Sequence, residues 1–217
     1  MSEEKLEEQH SNKDVYQQDA DYNYFVSAAV IAAKLDQATS IAQQLSLTAS
    51  NARAVALRAG ERAAGFRPLT DFIDRLAEIT ITASKKINLL AATLSKTSAA
   101  KVRADNAIKH FNLVFDKAAE SPFINSLNDA FERCKINQNR LTRAYQRQID
   151  QLSEELAMLS SELRNAVILA TLSRVEASQA GTQYQDALIN VADNVEGAAG
   201  KIKDHIKYSQ QVVSTLQ

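Results

Sequence analysis

The stretch Ala49-Ser50-Asn51-Ala52-Arg53-Ala54-Val55-Ala56-Leu57-Arg58-Ala59-Gly60-Glu61-Arg62-Ala63-Ala64-Gly65-Phe66-Arg67-Pro68 holds the first glycines and the first proline of the chain. Upstream of it, apolar residues recur at Ala28, Ile31, Leu35, Ala38, Ala42, Leu45, Ala49, Ala52 and Ala56. Steps of three and four alternate without interruption, a period that keeps one narrow seam turned toward a partner helix. Most of the seam is alanine, which permits close approach. Downstream the stripe resumes as Leu69, Ile73, Leu76, Thr80, Ala83, Ile87, Leu90 and Leu94. After a polar gap at Thr97 and Lys101 it continues through Ala104, Ile108, Phe111 and Phe115. Two long stripes around a short glycine-containing turn predict an antiparallel helical hairpin over residues 22–119, with its tip at 59–68. Pro68 suits the first turn of the returning helix, whose amides have no partner within the helix.

Working outward, residues 1–21 are polar and acidic and carry no stripe, which predicts a mobile tail. Ser121-Pro122 reads as an N-cap followed by the first helical position, so a third helix is predicted from there. Its seam is Ile149, Leu152, Leu156, Leu159, Leu163, Ala166, Ala170, Ser173 and Ala177, ending at Gly181. A fourth stripe follows at Leu188, Val191, Val195, Ala198, Ile202, His205, Ser209, Val212 and Leu216. Residues 120–217 are therefore a second hairpin with its tip near 181–186. The expected fold is all-α: long antiparallel hairpins packed as an elongated, coiled-coil-like four-helix bundle.

The two hairpins echo one another. Shifted by 121 positions, Ala28, Ile31, Leu35 and Ala38 fall on Ile149, Leu152, Leu156 and Leu159, and Arg53, Ala56, Ala59 and Gly60 fall on Arg174, Ala177, Ala180 and Gly181. The shared Arg-x-x-Ala-x-x-Ala-Gly points to a degenerate internal repeat.

Composition agrees with helices and few loops: five glycines and two prolines in 217 residues. Basic and acidic residues nearly cancel, 25 against 26, so no global field draws the chain to nucleic acid or anionic lipid. The N-terminus lacks a secretory signal, and no apolar run is long enough to span a bilayer. The single cysteine, Cys134, allows no internal disulfide and reads as a small buried residue near the third seam. A cytoplasmic protein is expected.

Catalytic chemistry finds no foothold. His10, His110 and His205 are isolated from cysteines and carboxylates at ligand spacing, and no glycine-rich nucleotide loop occurs. No metal, cofactor or enzyme activity is predicted. Arg133, Lys135, Arg140, Arg143 and Arg147 read as a solvated basic face without interleaved aromatics, which argues against a nucleic-acid surface. Gly197 and Gly200 in the fourth helix imply either close helix approach or a hinge.

One stretch carries more than periodicity. Ile41-Ala42-Gln43-Gln44 and the segment from Asn51 to Phe66, continued through Asp71, Arg75-Leu76-Ala77-Glu78, Thr80, Ala83 and Ile87, resembles the signalling hairpin of methyl-accepting chemotaxis proteins. The likeness covers residues 38–90; the second hairpin shares only Val175-Glu176-Ala177 and Ala180-Gly181. It implies that Asn51, Arg58, Gly60, Glu61, Arg62, Gly65 and Phe66 form a partner-binding tip. It also implies partners: other chemoreceptor-like proteins, a coupling protein and a histidine kinase. Two chains build the four-helix bundle in that family, so this chain is expected as a monomer with an internal pseudo-dimer or as a homodimer. Val55 stands where the family has Glu, Ala63 replaces a tip glycine, and Pro68 and Phe72 replace Val and Glu. The arms are too short for methylation segments. The function expected is contact-based signalling or scaffolding, with a structural coiled-coil module uncoupled from a kinase as the alternative.

Overall fold

The computed structural model describes residues 3–216, with side chains from Val26 to Leu216. It is an all-α helical bundle: α1 Glu3–Ala59, α2 Phe66–Lys117, α3 Asn128–Gln179 and α4 Thr182–Ser214. Short 3-10 turns at Gly60–Ala63 and Ile124–Leu127 precede α2 and α3. Among the described residues no helix is long and apolar enough to cross a membrane.

Two compact units cut across the hairpins instead of separating them. One comprises residues 30–89 and 152–215, and so holds both tips. Its core is the set of seams read from the sequence. Ile31, Leu35, Ala38, Ala42, Leu45, Ala49, Ala52 and Ala56 of α1 are buried, facing Ile73, Leu76, Thr80, Ala83 and Ile87 of α2. On α3 every seam position from Leu152 to Ala177 is buried. Two seam hydroxyls turn back on their own helices, Thr80 Oγ1 to the Leu76 carbonyl at 2.8 Å and Ser173 Oγ to that of Leu169 at 2.8 Å, whereas Ser84 Oγ, also buried, has no partner among the described residues. A buried hydroxyl without such a partner is costly.

On the fourth stripe Leu188, Val191, Val195, Ile202, Ser209 and Leu216 are buried as expected, and the seam shifts by one position at three places. Ala199, Ile206 and Val213 are buried where Ala198, His205 and Val212 were expected. On α2, Thr70 and Ala91 take the places assigned to Leu69 and Leu90, and Ser98 and Val102 carry the seam through the supposed polar gap. At pairs such as Ala198-Ala199, Val212-Val213 and Leu90-Ala91 two small or apolar neighbours compete for one layer, while Ile206 and Val102 displace the polar His205 and Lys101. Gly197 and Gly200 have nothing within 4 Å of where a Cβ would stand, so close helix approach does not account for them.

The second unit comprises residues 1–29, 90–151 and 216–217. Helix α1 begins at Glu3, not near Asp21. The stretch read as a tail lacks a stripe but is rich in helix-forming Glu, Gln and Lys with no Gly or Pro, and propensity alone favours a helical backbone. The side chains of residues 1–25, His10 among them, lie outside the described set. Helix α3 starts at Asn128, not at Ser121-Pro122. Ser121 instead opens a turn: its carbonyl accepts from the Ile124 amide at 3.2 Å and its Oγ from the Phe123 amide at 3.4 Å. Pro122 then occupies the second turn position, where its fixed φ is equally at home. Cys134 is half-buried, not enclosed.

His205 sits beside the core of the first unit, near Lys34, whose ammonium lies 5.2 Å from the Tyr208 ring centre. Burial pushes the imidazole below its ordinary value, Lys34 adds to this, and Asp204 opposes it. The folded state therefore holds the proton less well than the unfolded chain. His205 imposes no penalty above the ordinary value of 6.5 and an increasing one as pH falls below it. The urea midpoint should drop between pH 7.5 and 5.5, and the drop should be smaller in His205→Gln. Leu156→Ala, at a fully buried position, should cost about 2–5 kcal/mol by urea titration. Met158→Ala, on the exposed side of the same helix, should change stability by about 0.5 kcal/mol or less.

Candidate functional site

Each hairpin reverses on a glycine with positive φ, Gly60 at 65° and Gly181 at 82°. Gly60 ends α1 in the left-handed region, the common helix stop. The amide of Ala64 then donates to the Glu61 carbonyl at 3.3 Å, and that of Arg67 to the Ala64 carbonyl at 3.3 Å, completing the turn into α2. Pro68 falls within the first turn of α2, as expected. The second tip is tighter than the expected 181–186: Ala180 and Gly181 suffice, and α4 starts at Thr182. Gly181 has ψ 153°, a combination essentially reserved for glycine.

Beside each tip the repeated arginine does the same job. Arg53 reaches across to Asp71 at 2.6 Å, and Arg174 reaches across to Asp193 at 2.7 Å and also to Glu196. Ser46 Oγ adds a bond to Asp74 at 2.7 Å. These pairs are largely exposed, so their contribution is small; in each hairpin the arginine ties its arm to the returning helix.

The tips lie against one another. The Arg62 side chain comes within 3.6 Å of the position a Cβ would occupy on Gly181, and the Glu176 carboxylate fills the space a Cβ would need on Gly65. Phe66 is fully buried and closes this end of the core, with Ala63 buried next to it. Of the residues expected to form a partner-binding tip, Gly60, Gly65 and Phe66 therefore serve structure: a chain reversal, a close packing and a plug. Asn51, Arg58, Glu61 and Arg62 are exposed. Among the described residues none of Arg58, Glu61 and Arg62 has an ion-pair partner.

The sequence reading missed an outward apolar stripe. Ile168, Leu172 and Val175 of α3 are 62%, 50% and 53% exposed, although they lie on one face at steps of four and three. Shifted back by the repeat they correspond to Leu47, Asn51 and Ala54 of α1, and Leu47 is likewise exposed, at 68%. Leu57 is exposed beside Arg58. The signal was present as a second 3/4 series out of phase with the seam. Among the described residues no group of three or more His, Cys, Asp or Glu is placed to hold a metal ion. Searches against protein-family models and curated proteins return no match.

Gly181→Ala should lower stability by roughly 1–3 kcal/mol through backbone strain, since Arg62 leaves room for the methyl. Gly65→Ala should instead be rescued by Glu176→Ala, because its obstacle is a side chain. Denaturant midpoints of the two single variants and the pair measure this coupling.

Proposed function

We propose that this chain is a chemoreceptor-like signalling or scaffolding protein that acts through protein–protein contacts at its hairpin tips, without catalysis. The observation that carries the reading is the composition of the outer tip surface. Arg58, Glu61 and Arg62 are exposed at the first tip and, among the described residues, make no ion pair, while α3, which runs to the second tip, carries an exposed apolar stripe of Ile168, Leu172 and Val175. Monomeric surfaces seldom leave three large apolar residues contiguous on one helix face, and such stripes bordered by charge mark contact sites. The resemblance over residues 38–90 supplies the kind of partner: another chemoreceptor-like protein, or a coupling protein with its histidine kinase, in the cytoplasm.

The departures from the family fit a changed contact surface. Val55 is half-buried where the family has a carboxylate, and Ala63 is packed under the tip. The apolar stripe on α3 has no counterpart in the first hairpin beyond Leu47. A tip with two unlike halves has one face for each of two contacts, which suits an adaptor.

The test uses the intact protein immobilised against purified coupling protein and histidine kinase. Native protein should retain one of them. Leu172→Glu and the pair Arg58→Glu with Glu61→Arg should each weaken retention by about tenfold or more, the loss expected of a central contact residue. Failure of the native protein to retain either, with partners instead captured along the helix sides, would favour a structural coiled-coil module uncoupled from any kinase.

A further inference from the structure

Helix α4 is held unevenly along its length. Its first half is clamped: Leu188, Val191, Ala192 and Val195 are buried, and Arg174 of α3 reaches both Asp193 and Glu196. Past Glu196 the helix changes character. Gly197 and Gly200 follow at once, and the space where each would carry a Cβ is open, so no neighbouring side chain or backbone requires a glycine there. Neither has a positive φ, so no chain reversal requires one either. Glycine weakens a helix interior relative to alanine, because the unfolded chain keeps more freedom at that position. Two glycines within four residues concentrate the weakness at one point.

The stretch beyond that point, residues 201–214, is lightly tied. Its inward positions are Ile202, Ile206, Ser209 and Val213, all buried. One of the four is thus a hydroxyl, and Ser209 Oγ turns back to the His205 carbonyl of its own helix at 3.0 Å. Among the described residues no side chain of this stretch makes an ion pair. Its charged contact to another helix is that of Lys34 on α1, whose ammonium lies 5.2 Å from the Tyr208 ring centre. Tyr208 is 46% exposed, and water weakens a contact of this kind. The stretch also carries Lys201, Lys203 and Lys207 against Asp204 alone. Lys34 adds a further positive charge from α1, so the net charge across this contact opposes docking.

We propose that residues 201–214 are a releasable arm of α4, which swings away as one piece about Gly197–Gly200 while Arg174 keeps the first half of the helix docked. The clamp, the weak point and the lightly held arm follow one another along a single helix, and that order lets one part move without the other. Release frees the apolar face of Ile202, Ile206 and Val213 and opens one side of the tip-bearing unit. The second tip, upstream of the clamp, stays closed. The arm is a conformational switch built into the bundle, separate from the residues that form the tips.

Residue-resolved amide hydrogen exchange on the full chain tests this, since exchange reports local opening directly. After correction for intrinsic rates, amides from Ile202 to Val213 should exchange at least roughly tenfold faster than those from Leu188 to Val195. They should also share one rate, with a step between the two groups near Gly197. Gly197→Ala with Gly200→Ala should slow the arm amides roughly tenfold or more, as two alanines restore the helix. A rate that rises smoothly toward Ser214 would mean ordinary fraying of a helix end and would overturn the proposal. Protection of the arm equal to that of Leu188–Val195, or arm rates unchanged by the two alanines, would overturn it as well.

Discussion

Everything in the tip-bearing unit depends on a seam of small side chains that never breaks phase. From Ala38 to Ala56 five of the six seam positions on α1 are alanine, the sixth being Leu45, and all are buried. Alanine costs little side-chain entropy on folding and leaves little volume, so neighbouring backbones must come close for the layer to be filled. That closeness is what makes the arrangement specific. Larger side chains, among them Leu76 and Ile87 on α2 and Leu159 and Leu163 on α3, are buried in the same unit, and a large residue placed in the alanine series would force the helices apart.

The tips inherit their form from that packing. Because the seams run to the ends of the arms, both reversals must be short, and short reversals need backbone conformations that only glycine adopts easily. Phe66 then seals the core at the end, while Gly65 yields the space for Glu176. Residues committed to closing the bundle cannot also present themselves to a partner. The exposed set, Arg58, Glu61 and Arg62 with the apolar stripe on α3, is what the packing leaves over. Core-closing and solvent-facing residues thus alternate within the short segment from Arg58 to Phe66.

Much of this was legible in the sequence, and the failures have physical causes. The seams of α1 and α3 could be read residue by residue because each layer offers a single apolar candidate at strict spacing. On α4, Ala198 and Ala199, or Val212 and Val213, offer two, and the drift between 3.6 residues per turn and a 3.5-residue repeat decides between them. Ser121-Pro122 misled because the same pair that starts a helix also makes a turn. Chain reversal at Gly60 and Gly181 was plain, but the packing of Gly65 on Glu176 was not, since it joins segments that nothing local connects. The stripe Ile168, Leu172 and Val175 was hidden by the stronger seam beside it on α3.

The claim on which the rest stands is that both hairpins of one chain pack tip against tip. Spin labels on Leu57→Cys and Ser178→Cys, in a Cys134→Ser background, measure it by pulsed dipolar spectroscopy. The account predicts one narrow distance distribution that does not change when labelled protein is diluted with unlabelled protein before refolding. A short distance that fades on such dilution would place the two hairpins of each bundle on different chains and contradict the account.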